Sequence, residues 1–341
     1  MLADAHEVAV VQLSPAAGLG LAVDAGGLLG EQRLDVAAAV DHAGELEQLA
    51  EADGASVDVD GCGDEVNVEV GGGSQRVALG SRRMGERSAY EPGTFCWAEL
   101  STPDQEAAKR FYGELLGWES DDRPMGEGSY YSMQVVSGKM VAAIAAQPEQ
   151  QREAGVPPLW NSYVAVADAD AVAERAKELG ANVHAPPFDV MTAGRMAVIQ
   201  DPQGAFFMLW QPRDHVGAGL VNEPGTLVWN ELQSPDLDAS AAFYSDLFGW
   251  KVADFEGMED RYMGIENAGA HNGGMRTLQP PSPPSWLTYF GVQDVEESLA
   301  KLQELGGTKL AGPIDITMAK LAVVADPQGA VFALYAGAME P

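Results

Sequence analysis

Residues 91–119 read EPGTFCWAELSTPDQEAAKRFYGELLGWE, and residues 223–251 read EPGTLVWNELQSPDLDASAAFYSDLFGWK. Aligned without gaps, 15 of the 29 positions are identical. Two further pairs follow in the same order: Pro157-Pro-Leu-Trp160 with Pro283-Pro-Ser-Trp286, and Asp201-Pro-Gln-Gly-Ala205 with Asp326-Pro-Gln-Gly-Ala330. Three ordered matches mark an internal duplication. They place module one at 90–214, a linker at 215–222 and module two at 223–337.

Each copy opens on an aromatic, apolar run, Thr94 to Leu100 in module one, that suits a strand. A helix follows from about Asp104 to Leu116. Ala107, Ala108, Phe111, Tyr112, Leu115 and Leu116 recur at spacings of three and four, one face of a helix. Thr102 or Asp104 can cap its start, and Gly117 fits the left-handed position after its end. Tyr130 to Val136 and Val141 to Ala146 read as strands. The scheme then restarts: strand Trp160 to Val166, helix Asp170 to Leu179, strands Met196 to Gln200 and Phe206 to Trp210. Module two repeats it, with helices Asp238–Phe248 and Val295–Leu305. The expected fold is α+β, built from four βαβββ half-modules.

Residues 1–89 differ in kind. They contain no Phe, Trp, Tyr or Lys and carry 16 acids against 5 arginines. A segment so poor in aromatics has little with which to build a packed core. Val66 to Val70 alternates like a strand, and Glu45 to Glu51 could form a helical turn or two. Three readings stay open: a disordered extension, a small irregular domain, or a segment foreign to the native protein, with Met84 as the true start.

The whole chain of 341 residues has 46% apolar residues and a formal charge of −31. Such acidity argues against binding to a nucleic-acid backbone and favours cationic ligands at long range. Two cysteines, Cys62 and Cys96, make no disulfide framework, so a cytoplasmic protein is expected. No apolar run is long enough to span a membrane, and the acidic N-terminus is unlike an export signal. The expected partner is a small molecule, and the expected state is a monomer or homodimer.

The strand, the helix carrying Phe-Tyr, the Leu-Gly-Trp that ends at Trp118 and its copy ending at Trp250, and the two Asp-Pro-Gln-Gly turns resemble the vicinal-oxygen-chelate superfamily. This group includes glyoxalases, bleomycin-resistance proteins and extradiol dioxygenases. The resemblance covers about 90–337 and implies two modules, each with a curled mixed sheet around a cavity. It is similar in particular to two-module actinobacterial proteins labelled glyoxalase-like or hydroxylase. It does not fix the activity, because the superfamily hosts several.

The resemblance also implies where a metal would be held: by a His or Gln on the first strand of a half-module, and by a Glu on its last strand. Here the first-strand positions hold Trp97, Asn161, Trp229 and Leu287, and the last-strand positions hold Met208 and Ala333. Trp, Leu and Ala do not ligate divalent cations, Asn could do so only weakly, and Met is too soft for oxygen-partnered ones. No metal and no cofactor is therefore expected. His184, His215 and His271 lie off the family positions and read as isolated loop or surface residues.

Side chains alternate along a strand, so Trp97 shares a face with Glu99, and Trp229 with Glu231. Arg195 and Lys320 are the expected partners of the two carboxylates, since a buried carboxylate needs one. The expected ligand-binding set is thus Trp97, Glu99, Asn161, Arg195, Trp229, Glu231 and Lys320. It is offered for a metal-independent small-molecule-binding protein. The alternative is a glyoxalase-like lyase or isomerase, or a hydroxylase-like enzyme, with Glu99 or Glu231 as base or unconventional metal ligand. A Glu–Arg or Glu–Lys brace in a structural core fits the same residues equally well.

Overall fold

The computed structural model describes residues 85–338, apart from 127, 256–259, 280–281 and 317–318, and the strands at 56–59, 65–70 and 73–78. The chain divides into two units, Met1–Met84 and Gly85–Pro341. In the first, Ser56–Val59 (β1), Glu65–Val70 (β2) and Gly73–Ala78 (β3) form an antiparallel three-stranded sheet. The expected helical turn at Glu45–Glu51 lies outside the described residues.

The second unit holds both modules. In module one, β4 (Phe95–Thr102), α1 (Gln105–Leu116), β5 (Glu119–Gly126), β6 (Ser129–Val136) and β7 (Lys139–Ala146) form the first half. A short helix, α2 (Glu149–Glu153), leads to β8 (Leu159–Ala165), α3 (Ala169–Glu178), β9 (Asn182–Val190), β10 (Gly194–Gln200) and β11 (Phe206–Pro212). Module two runs β12 (Leu227–Ser234), α4 (Leu237–Phe248), β13 (Lys251–Asp254), β14 (Tyr262–Asn267) and β15 (Ala270–Thr277). It continues β16 (Ser285–Gly291), α5 (Val295–Glu304), β17 (Thr308–Ile316), β18 (Ala319–Ala325) and β19 (Val331–Gly337).

Each module is one mixed eight-stranded sheet, in the orders β5-β6-β7-β4-β8-β11-β10-β9 and β13-β14-β15-β12-β16-β19-β18-β17. The leading strands of the two halves pair antiparallel at the centre, and each pairs parallel with the last strand of its own half. The four βαβββ half-modules are therefore present as expected. β5 and β9 are the strands least visible in the sequence. Both are sheet edges with a free, water-facing side, and both carry proline, which an edge strand tolerates.

Local chemistry explains the helices. Asp104, Asp168, Asp236 and Asp294 each accept a hydrogen bond from the backbone N–H three residues on, at 2.8–3.0 Å. Asp104, not Thr102, thus caps α1; the Thr102 hydroxyl donates instead to Gln328 of module two. Gly117 and Gly249 end α1 and α4 at φ 75° and 76°, where a side chain would be strained.

The helix-bearing faces of the two sheets pack against each other crosswise. One core joins the second half of module one to the first half of module two; the other joins the first half of module one to the second half of module two. The family-like motifs build this interface. Tyr112 on α1 donates to Asp326 in the module-two turn (3.1 Å) and accepts from Trp160 Nε1 (3.1 Å). Tyr244 on α4 donates to Asp201 in the module-one turn (2.8 Å) and accepts from Trp286 Nε1 (2.9 Å). Trp118 Nε1 donates to the Gly225 carbonyl, and Trp250 Nε1 to that of Gly93. The linker is part of the same body. Ala218 and Leu220 are fully buried, and the Ala218 amide donates to the Cys96 carbonyl.

Phe has the shape of Tyr but no hydroxyl. Tyr112→Phe and Tyr244→Phe each leave a buried carboxylate oxygen and an indole N–H short of a partner. Each should lower unfolding free energy by about 1–3 kcal/mol. Urea unfolding with matched slopes checks this; a loss within error for both would contradict the cross-brace.

Candidate functional site

The sheet faces turned away from the helices carry the candidate chemistry. In module one, Ala98 and Leu100 of β4 enter the helix-side core, so Trp97 and Glu99 point to the other side. Register places Glu99 opposite Asn161 of β8, and Trp97 opposite Tyr163. The Tyr131 and Tyr163 hydroxyls both donate to Glu99 Oε2, at 2.6 and 3.1 Å. Asn161 is a third hydrogen-bond partner. Trp97 Nε1 donates to the Tyr131 hydroxyl at 3.3 Å. Burial pushes the Glu99 carboxyl up, and the two tyrosines and Asn161 pull it back down. Burial, together with the same carboxylate, raises both tyrosines well above the usual phenol range.

Module two repeats the arrangement. Trp229 Nε1 donates to the Tyr262 hydroxyl at 2.9 Å, and Tyr262 and Tyr289 both hydrogen-bond Glu231. Gln233 Nε2 also donates to Glu231. Burial raises the Glu231 carboxyl; the Arg276 charge is the largest opposing influence.

The expected pairing of Arg195 and Lys320 with these carboxylates does not occur. Arg195 pairs with Asp170 of α3 (2.7 Å) and Asp189 of β9 (2.8 Å). Lys320 pairs with Glu296 of α5 and with Asp315. Both cations therefore sit on the helix side of their strands, one position out of phase with the glutamates. Their neighbours already signal this: Ala197 and Ile199, like Ala322 and Val324, enter the helix-side cores, whereas Met196, Val198, Leu321 and Val323 face the other way. The tyrosines take the place foreseen for a cation.

His215 is not the isolated linker residue that its sequence position suggests. Its ring meets Trp97 edge-on at 4.6 Å and Trp210 at 5.8 Å. Both ring nitrogens are buried without a hydrogen-bond partner. Burial, assisted by the Arg123 charge, pulls its pKa down to about 4. Linker position gives no hint of this, because the contact depends on the chain folding back over β4.

A divalent metal at the family positions does not fit the residues present. Trp97, Asn161 and Met208 in module one, and Trp229, Leu287 and Ala333 in module two, supply a single amide oxygen between them. Among the described residues, no group of three or more His, Cys, Asp or Glu side chains is placed to hold a metal ion.

Residues 94–209 match the Glyoxalase/Bleomycin resistance protein/Dioxygenase superfamily model, and residues 229–335 match the Glyoxalase-like domain model. CFP32 of Mycobacterium tuberculosis (strain CDC 1551 / Oshkosh), a glyoxylase by name, is 44% identical over 255 residues, covering 74% of this chain and 97% of that protein. The anthracycline biosynthesis protein DauV of Streptomyces sp. (strain C5) is 32% identical over 261 residues, covering 72% and 94%. Among solved structures, the Mn(II)-bound glyoxalase of Novosphingobium aromaticivorans superposes with a TM-score of 0.54 at 18% identity, covering 73% of this chain and 83% of that one. An extradiol ring-cleaving dioxygenase from B. fuscum gives 0.52 at 16% identity, covering 76% of each chain. The chain belongs to the glyoxalase/bleomycin resistance protein/dioxygenase superfamily. The two solved structures share its fold.

His215 yields a pH test. Unfolded histidine protonates near pH 6.5, but the folded residue only near pH 4. Between these values the unfolded chain holds the extra proton, so this residue's share of stability falls as pH drops from about 6.5 to about 4. Replacing His215 by Gln should flatten the stability profile in that window relative to wild type. Parallel profiles for the two proteins would show that His215 titrates normally.

Proposed function

We propose that the chain is a metal-independent small-molecule-binding protein of this superfamily, with its ligand held on the helix-free face of a module. The observation that carries the reading is the Trp–Tyr–Glu–Tyr cluster on that face, whose tryptophan occupies a position where the family resemblance would place a metal ligand. An indole wall beside a carboxylate suits a planar ligand with a hydrogen-bond donor, and sites of this kind need an apolar lining with few convergent polar groups. The relative named for anthracycline biosynthesis is in keeping with an aromatic ligand. A cytoplasmic setting belongs to the same proposal and suits Cys96, a buried free thiol.

A second reading rests on the raised Glu99 carboxyl. A glutamate pushed up by burial can act as a general base or acid in a glyoxalase-like lyase or isomerase, as the name of the CFP32 relative suggests. Glu99→Gln separates the two. An enzyme loses turnover of a 2-oxoaldehyde substrate and keeps binding, whereas a binding protein loses affinity.

The test is the metal content of the full chain purified without added metal, followed by a thermal-shift screen of planar aromatic compounds with and without EDTA. Binding to the native state raises the melting temperature by mass action. The proposal expects substoichiometric metal, shifts that survive EDTA, and their loss in Glu99→Gln. Stoichiometric metal, with shifts abolished by EDTA, would overturn it.

A further inference from the structure

The two modules keep the same cluster but surround it differently. The duplication aligns Ser101 with Gln233, each two residues beyond its glutamate. In module two, Gln233 donates to Glu231. In module one, the Ser101 hydroxyl is too short to do the same and is buried with no hydrogen-bond partner. The strand registers align a second pair. Arg276 of β15 lies opposite Gln233 and opposite Tyr262. Its counterpart opposite Ser101 and Tyr131 is Ala145 of β7. Module two thus puts an amide on the carboxylate and a guanidinium on the same face, near enough for its charge to act on Glu231, although its ion pair is with Asp260 at 3.9 Å. Module one puts a methyl and a hydroxyl there.

A separate difference points the same way. Around Trp97, module one packs Met133, Met140, Met196 and Met208. The corresponding cluster around Trp229 contains Val228, Leu287, Leu321 and Val323, and no methionine. Unbranched thioether chains rearrange at low cost and suit a surface that opens around a guest; branched aliphatic chains do not. The unpartnered nitrogens of His215 belong to this same module-one cluster, against Trp97. Among the described residues, Ser101 and His215 are the side chains with buried, unpartnered polar atoms. Such atoms cost free energy until something pairs with them.

We infer that module one is the ligand-binding module, that its ligand is an organic cation on an aromatic body, and that the cation sits beside Glu99 where module two places Arg276. Module two is self-filled: Arg276 and Gln233 occupy the position the ligand takes in module one. From Trp97 to Ser101 the strand rises about 13 Å, so the ligand lies along β4. Its charged end rests at Glu99 and Ser101, and its ring lies against Trp97, within reach of His215. The inference rests on the reading above that the helix-free face binds a small molecule, and it adds the class of ligand and the module.

Benzamidine is a suitable probe, since its amidinium copies the planar cation of Arg276, and benzamide is its neutral counterpart. The readout is the indole N–H resonances of Trp97 and Trp229 in the full chain, assigned by Trp97→Phe and Trp229→Phe. Benzamidine is expected to shift Trp97 saturably and leave Trp229 in place. Benzamide should bind roughly tenfold more weakly or worse, and Glu99→Gln should remove that preference. Ser101→Gln with Ala145→Arg, which installs the module-two pair, should abolish the Trp97 shift. Gln233→Ser with Arg276→Ala should bring a new Trp229 shift, a gain that misfolding cannot imitate. Equal response of both indoles in wild type, equal binding of benzamide, or no response to benzamidine overturns the inference. In each case, binding of a neutral aromatic from the thermal-shift screen would leave the broader proposal standing.

Discussion

The second unit is organised around two aspartates that each module lends to the other. Asp201 and Asp326 sit in tight Asp-Pro-Gln-Gly turns and are almost fully buried. Each accepts backbone N–H bonds within its own turn, from Gln203 and Ala205 or from Gln328 and Ala330. Its other oxygen accepts from a tyrosine of the opposite module. A buried carboxylate without these donors is costly. The turn, the helix that carries the tyrosine and the tryptophan behind it must therefore all be in place together. This fixes the helix-bearing faces between the sheets and leaves the opposite faces to carry the candidate chemistry.

On those faces a shared scaffold supports divergent surroundings. Both modules hold a glutamate beneath a tryptophan, tied by two tyrosine hydroxyls. Hydroxyl donors hold a carboxylate without cancelling its charge, which an arginine partner would do. In module one the carboxyl, pushed up by burial, lies beside methionine chains and small residues. In module two the nearby Arg276 charge works against the upward push of burial on Glu231.

Much of this is legible in the residues. The repeat, the Asp caps, the terminating glycines and the three-four spacing of Phe111, Tyr112 and Leu115 define the half-modules, because each is a short-range signal. The shared face of Trp97 and Glu99 follows from strand alternation alone. The edge strands β5 and β9 are poorly legible because both carry proline, and because β5 is exposed along its whole length and so has no apolar face to alternate with. The partners of Glu99 escape a reading of the sequence because Tyr131 and Tyr163 come from other strands and meet it only through register. Counting from the turns puts Arg195 and Lys320 on the wrong face by one residue, an error that the burial of their odd and even neighbours corrects. The burial of His215 escapes a reading of the sequence because Trp97 meets its ring only through tertiary folding, although Trp210 lies five residues away along the chain.

The most direct measurement is the electron density of a crystal of the full chain grown with benzamidine. The account predicts planar density in module one, its amidinium on Glu99 and its ring against Trp97, with Arg276 still beside Glu231 in module two. Density at Glu231, or a metal ion coordinated by Glu99, would contradict it.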